Sequence, residues 1–155
     1  MSQTIESDSA HSVGGRRVDQ LLEHYGLSHR VQANEQIHFV AIPLIMWSLL
    51  GLLYALHPWL AYATVALSMV YYARLSVAFL AAMLLVAVLM LGLVRLMGDS
   101  LVLVCLVVFV GAWIAQFVGH KIEGKKPSFF EDLQYLLVGP LFVLSKLFLK
   151  LGIRW

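Results

Sequence analysis

Charge is missing from most of this chain. No Asp, Glu, Lys or Arg occurs from Gln36 to Ala73, and two further charge-free runs cover Leu75–Val94 and Ser100–Gly119. Runs of about 18 or more apolar residues are long enough to cross a bilayer core as helices. A helix is suited to that environment because it satisfies its own backbone hydrogen bonds where water is absent. A soluble domain needs a polar surface, and a sequence that is 61% apolar and 13% charged does not supply one. The fold class that follows is all-α: a multi-pass membrane helical bundle.

The order of the chain can be read from the same contrast. Residues 1–15 carry Ser, Gly and Glu without apolar periodicity, which predicts a disordered tail. Residues 16–155 then form a single helical membrane domain. Val18, Leu21, Leu22 and Tyr25 recur at helical spacing, predicting an amphipathic helix over 16–26 that lies on the membrane surface. Four spans follow, at 37–56, 59–75, 76–95 and 100–120. His57-Pro58 ends the first, because the residue before proline disfavours helical dihedrals. The second is short, so either Arg74 snorkels or the helix stops below the interface. Arg95, Gly98 and Asp99 predict a tight turn between the third and fourth.

The last segment is long enough to cross, but Pro140 interrupts it. Lys146 and Lys150 sit one helical turn apart, and a basic stripe on an apolar helix marks an interfacial helix. An interfacial or re-entrant helix is therefore expected here rather than a fifth span. No cleavable signal peptide is expected, since the first apolar run is too long for one. Cys105, the one cysteine, lies inside an apolar run and reads as a small buried residue. With four spans, ten of the eleven Lys and Arg residues fall on one side and only Arg95 on the other. The positive-inside rule then places both termini in the cytoplasm. A bacterial inner membrane and an endoplasmic reticulum membrane fit this orientation equally, and a homo-oligomer is left open.

The polar residues collect at that cytoplasmic side. His24, His29 and His38 precede or begin the first span, and His120 ends the fourth. His57 lies at the opposite face and reads as an interfacial polar residue. A neutral imidazole offers a nitrogen lone pair, which suits metal binding. An unpaired polar group at a dry boundary costs several kcal/mol, so these side chains need partners. A shared metal would supply one, and backbone or water hydrogen bonds are the alternative. His29 and His38 would face opposite ways in one helix, so convergence needs a break near Val31–Ala33.

Asn34 is one turn before His38 and Gln116 one turn before His120. Asn34 is suited either to orient the imidazole or to cap the helix. Gln116, within an apolar helix, should face the bundle interior. Gly111, Ala115 and Gly119 make a small-residue stripe for close helix packing. Glu123 reads as a carboxylate ligand, as a general base or as an ion-pair partner of Lys125 or Lys126. Those lysines are also suited to attract an anionic headgroup or a substrate carboxylate. Pro127, Ser128 and Glu131 predict a helix start with a capping box.

The stretch "YGLSHRVQANEQIHFVAIP" before the first span, together with "QFVGHKIEGKKPSFFEDL" after the fourth, resembles a family of small membrane proteins. That family contains the fungal iron(II)-dependent 2-hydroxy fatty acid dioxygenase of phytosphingosine breakdown. The resemblance covers about residues 20–152 and rests on His29, Asn34, His38 and Pro43, then on Gln116, Gly119, His120, Glu123 and Pro127. The spacing from His120 to Glu123 is one residue shorter than in the fungal form. The apolar core adds nothing specific. The resemblance implies an Fe(II) enzyme of fatty acid α-oxidation that takes a 2-hydroxy fatty acid and dioxygen and yields a fatty acid one carbon shorter. It implies His29, His38 and His120 as metal ligands. Glu123 and His24 then become candidates for a further ligand or for acid/base work, with Asn34 and Gln116 as supporting residues. Lys125, Lys126 or Arg30 would meet the substrate carboxylate.

Two other classes compete with this reading. A zinc-dependent lipid hydrolase would use the same histidines. The third class is a transporter or a structural membrane protein, but transporters usually show polar or Gly/Pro-interrupted helices at mid-membrane. Here the span interiors are almost wholly apolar.

Overall fold

The computed structural model describes residues 16–26, 31–124 and 135–155. Among them all regular structure is helical: α1 (Arg17–Gly26), α2 (Gln32–Leu56), α3 (Pro58–Ala73), α4 (Val77–Leu96), α5 (Leu101–Ile122) and α6 (Gly139–Leu151). Single 3-10 turns at Gly98–Ser100 and Tyr135–Leu137 precede α5 and α6. The predicted tail at 1–15 and the predicted capping box at Ser128 and Glu131 lie outside the described residues.

Successive long helices run antiparallel. Tyr54 of α2 meets Tyr62 of α3 across the first connection, with ring centroids 6.2 Å apart. His57 makes that connection: it is extended (φ −165°), and its Nδ1 accepts a hydrogen bond from the Trp59 N–H at 3.3 Å, capping α3. Pro58 then occupies the first helical position, where a missing N–H costs nothing. Gly98, at φ +54°, makes the turn between α4 and α5 in a region that favours glycine.

The central pair is α2 with α5. Gly51 lies against Cys105 and Leu101 at one end, Ala41 and Ile45 pack on Ala112 and Trp113 in the middle, and Asn34 and His38 meet Gly119 at the other end. The Gly51 contact is close enough that a Cβ there would run into the Cys105 sulfur. Ser48, also buried in α2, turns its hydroxyl back onto the Leu44 carbonyl at 2.7 Å, so this interface carries no open polar group from it.

Among the described residues, three helical stretches are long and apolar enough to cross a membrane: Gln32–Leu56, Val77–Leu96 and Gly98–Ile122. The first begins five residues before the expected start at 37, because Glu35 pairs with Lys146 at 3.1 Å and is tolerated in the first turn. The expected second span is a helix of 16 residues, α3. At 1.5 Å per residue it reaches about 24 Å, short of a hydrocarbon core of about 30 Å. Beneath its end Val18 of α1 and Leu141 and Phe148 of α6 join Tyr72 and Phe79 in one buried cluster. The Tyr72 hydroxyl donates to the Leu137 carbonyl at 3.1 Å, fastening α3 to the segment that leads into α6.

α6 has 13 residues, about 20 Å, so it is too short for a fifth crossing. Its buried face is Leu141, Phe142, Ser145 and Phe148, and Lys150 is exposed. Arg16 donates to the Trp155 carbonyl, and the Trp155 indole N–H donates to Asp19 at 3.1 Å, so the chain end is tied to the start of α1.

Candidate functional site

Antiparallel packing of α2 on α5 brings the first turns of α2 to the last turns of α5. His38 and His120 meet there edge to face, with ring centroids 4.9 Å apart. Their relative exposures are 2% and 7%, so both imidazoles are out of bulk solvent. The approach depends on Gly119. A Cβ at that position would overlap the Asn34 side-chain oxygen and sit 3.4 Å from His38 Cε1. Glycine therefore lets α5 come close enough for the rings to meet.

The proton on His38 can be placed by its partner. Nδ1 lies 2.9 Å from the Asn34 carbonyl oxygen. A carbonyl only accepts, so Nδ1 carries a hydrogen, and in the neutral imidazole Nε2 then carries the lone pair. This is the tautomer a metal-ligating histidine needs, held by a backbone acceptor. The sequence reading gave the orienting role to the Asn34 side chain, and the structure gives it to the Asn34 backbone.

The Asn34 side chain points to Glu123 instead. Its Nδ2 donates to Glu123 Oε2 at 3.1 Å, and the Val31 N–H donates to the same oxygen at 3.0 Å. A carboxylate accepts only, which fixes the Asn34 amide with its nitrogen toward Glu123. Val31 is the residue before α2 and has no side-chain cap of its own. Glu123 supplies from α5 what a glutamate three residues into a helix supplies in a capping box. Its negative charge also suits the positive end of the α2 dipole. Val31 is extended, at φ −81° and ψ 122°, so the break expected near Val31–Ala33 occurs there.

Asn34 Oδ1 is buried and has no hydrogen-bond partner among the described residues. Gln116 is also buried, one turn before His120. The Gly111 end of the small-residue stripe behaves otherwise than expected: Gly111 is exposed, and nothing lies within 4 Å of where its Cβ would be. Only the Gly119 end makes a close helix contact.

His24 is turned elsewhere. Its Nδ1 lies 3.0 Å from the Tyr135 hydroxyl and the two rings stack at 5.9 Å. His57 caps α3 at the far end of α2. His29, Arg30, Lys125 and Lys126 lie outside the described residues. Among those described, no group of three His, Cys, Asp or Glu side chains is positioned to hold a metal. His38 and His120, two of the three expected ligands, are brought into ring contact by the fold. The tautomer of His38, the burial of both rings and the unsatisfied Asn34 oxygen all fit a bound metal.

Sequence reasoning missed two relationships here. The link from Glu123 to Val31 uses a main-chain donor, which no residue type reveals. Tyr135 as the partner of His24 comes from a segment with no motif of its own.

Fold and site together define a class: an apolar helical bundle of membrane dimensions, with two buried imidazoles joined at one end. A family model described as "Mpo1-like: 2-hydroxy-palmitic acid dioxygenase Mpo1-like" matches residues 16–151, and the chain belongs to that family. The family name points to a dioxygenase that acts on a 2-hydroxy fatty acid. No curated protein and no solved structure gave a match.

Proposed function

We propose that this protein is an Fe(II)-dependent dioxygenase that shortens 2-hydroxy fatty acids by one carbon. The observation that carries the proposal is the buried pair of His38 and His120 at the meeting of α2 and α5. The family's name, which points to a 2-hydroxy fatty acid, supports the substrate class. The reaction balances with one dioxygen: a 2-hydroxy acid and O2 hold the same atoms as the acid one carbon shorter, carbon dioxide and water. The bond between the carboxyl carbon and the hydroxyl-bearing carbon is the one broken.

His38 and His120 would hold the metal, with His29 as the third ligand. Bound there, Fe(II) would supply dioxygen activation and open positions for a hydroxy-carboxylate to chelate. His38 keeps its proton on Nδ1 against the Asn34 carbonyl and presents Nε2. Glu123 holds the chain at Val31, two residues beyond His29, and so fixes the entry to α2. This makes Glu123 a positioning residue in the proposal rather than the general base. Arg30, Lys125 and Lys126 are the cations suited to receive the substrate carboxylate.

The proposal includes a membrane topology. α2, α3, α4 and α5 form four crossings, α3 ending at Arg74 near the cytoplasmic face, where α1 and α6 cover the gap at the interface. The histidines then lie on the cytoplasmic side, where a lipid substrate can enter from the leaflet.

The test is elemental analysis of detergent-purified protein beside His120→Ala, followed by oxygen uptake with 2-hydroxyhexadecanoic acid. Near-stoichiometric iron that the variant loses, with oxygen consumed only when the 2-hydroxy acid is added, is the expected result. Zinc with no oxygen uptake would replace the proposal with a hydrolase. No metal after reloading with Fe(II) would remove the metal site altogether.

A further inference from the structure

A cavity of about 80 Å³ lies between α2, α3 and α4, away from the histidines. Four methionines line it, Met46, Met69, Met83 and Met90, of six in the whole chain. The three hydroxyls on its wall are already committed. Thr64 donates to the Leu60 carbonyl at 2.8 Å, Ser68 to the Thr64 carbonyl at 2.8 Å, and Tyr72 to the Leu137 carbonyl at 3.1 Å. Among the described residues the wall thus offers an occupant no uncommitted hydroxyl hydrogen, only the lone pairs of three oxygens on an otherwise apolar lining, and water needs two or more polar partners to settle in such a space. Methionine walls are polarizable and adapt to a flexible occupant.

Position narrows the occupant further. Met46 and Leu53, which bound the cavity along α2, lie about 12 Å and about 22 Å beyond His38 at the rise of a helix. One leaflet of hydrocarbon is about 15 Å deep. A long acyl chain with its carboxyl end at the histidines would bring its far end to this depth. Leu136 joins the two places: it packs against the cluster of Ala41, Ile45 and Trp113 next to the histidine turn, and it also lines the cavity. The volume accommodates a few methylenes and not a whole fatty acid.

We propose that this cavity receives the terminal methyl end of the substrate's acyl chain and sets its preferred length. The inference rests on the 2-hydroxy fatty acid reading for the identity of the chain, and it concerns the tail where that reading concerns the head. A pocket of about 80 Å³ favours the chain whose end just fills it. A chain several methylenes too long must displace the walls or emerge from the pocket, and one too short leaves a void.

Two measurements test it on the intact protein in detergent. The first is photolabelling with a 2-hydroxy fatty acid that carries a diazirine at its terminal carbon. Label is expected on Met46, Met69, Met83 or Met90, removed by excess 2-hydroxyhexadecanoic acid and not by phosphatidylcholine. The second is the chain-length profile of binding and oxygen uptake for 2-hydroxy acids of graded length. Ala87→Leu fills the cavity and should move the optimum to shorter chains, with about tenfold or greater loss on the longest. Leu53→Ala enlarges it and should move the optimum the other way. Label outside the cavity, label displaced equally by phosphatidylcholine, no specific label, or an unchanged profile in both variants would each overturn the proposal. Cavity labelling without oxygen uptake would sink the dioxygenase reading and leave the tail pocket standing. Oxygen uptake with an unshifted profile would do the reverse.

Discussion

Glu123, the residue that closes α5, accepts a hydrogen bond at 3.0 Å from the backbone N–H of Val31, the residue that opens α2. The same carboxylate oxygen takes the Asn34 amide at 3.1 Å. Two helix ends far apart in sequence are thus joined at one atom, beside the pair of His38 and His120.

That junction predicts an ordered pair of variants. Glu123→Ala removes the acceptor and leaves the Asn34 amide and the Val31 N–H to find other partners. Hydrogen bonds to a charged group contribute about 1.5–3 kcal/mol. Glu123 is partly exposed, so the lower end is expected for Glu123→Ala. Glu123→Gln keeps an acceptor oxygen but loses the charge at the α2 dipole, for a loss of about 0.3–1 kcal/mol. Thermal unfolding in detergent should rank wild type above Gln and Gln above Ala. If Glu123 acts as a positioning residue, the Gln variant should retain most of its oxygen uptake. A general base at this position would instead lose it.

Gly119 predicts a sharper effect for one carbon atom. Gly119→Ala puts a Cβ into the Asn34 side-chain oxygen and tight against His38. Overpacking of this kind costs about 1–3 kcal/mol, and here it also pushes His120 from His38. The variant should lose bound metal as well as stability. Gly111→Ala, on the same helix with open space around it, is the control. It should be neutral or slightly stabilising, since alanine is preferred to glycine within a helix by about 0.5–1 kcal/mol. Equal behaviour of the two variants would remove the claim that close approach at Gly119 assembles the site.

Histidine substitutions should separate into two groups. His38→Ala and His120→Ala should each abolish metal binding. His57→Ala should keep it, because that imidazole caps α3 at the other end of α2. His24→Ala should keep it too, since its ring is engaged with Tyr135. Metal content by mass spectrometry reads all four. Loss of metal in His24→Ala would return His24 to the ligand set.

Much of this was legible in the sequence for physical reasons that can be named. Charge-free runs gave the long helices, since a charge at mid-bilayer is expensive. His57-Pro58 gave the first boundary because proline constrains its neighbour. The expected reversals between His38 and His120 put both at one end of the bundle, and four successive antiparallel helices, α2 to α5, bring them into contact there. What stayed hidden depends on tertiary partners. Lys146 allows Glu35 inside the first turn of α2, so the helix starts earlier than the absence of charge suggests. The Asn34 side chain turns to Glu123, and its backbone holds His38, a division of labour that residue identity does not encode. Gly111 and Gly119 look alike in a spacing pattern, yet one faces open space and the other the core.

Gly51 and Cys105 give a last prediction at the opposite end of the same helix pair. A Cβ at Gly51 would meet the Cys105 sulfur, with Leu101 and Val94 also close, at 3.3 and 3.5 Å. Cys105 is fully buried, so its side chain has no room to retreat. Gly51→Ala should destabilise by about 1–3 kcal/mol, as overpacking of a filled core does. Cys105→Ala alone removes the sulfur and leaves a small void, at a cost of about 1 kcal/mol. The double variant should recover part of the loss, because the new methyl occupies space that the sulfur vacated. A double-mutant cycle on thermal unfolding should then show a favourable coupling within the range of about 0.5–3 kcal/mol seen for residues in contact. Simple additivity would mean that α2 and α5 do not touch at these residues. The antiparallel register that carries His38 to His120 would then need to be drawn again.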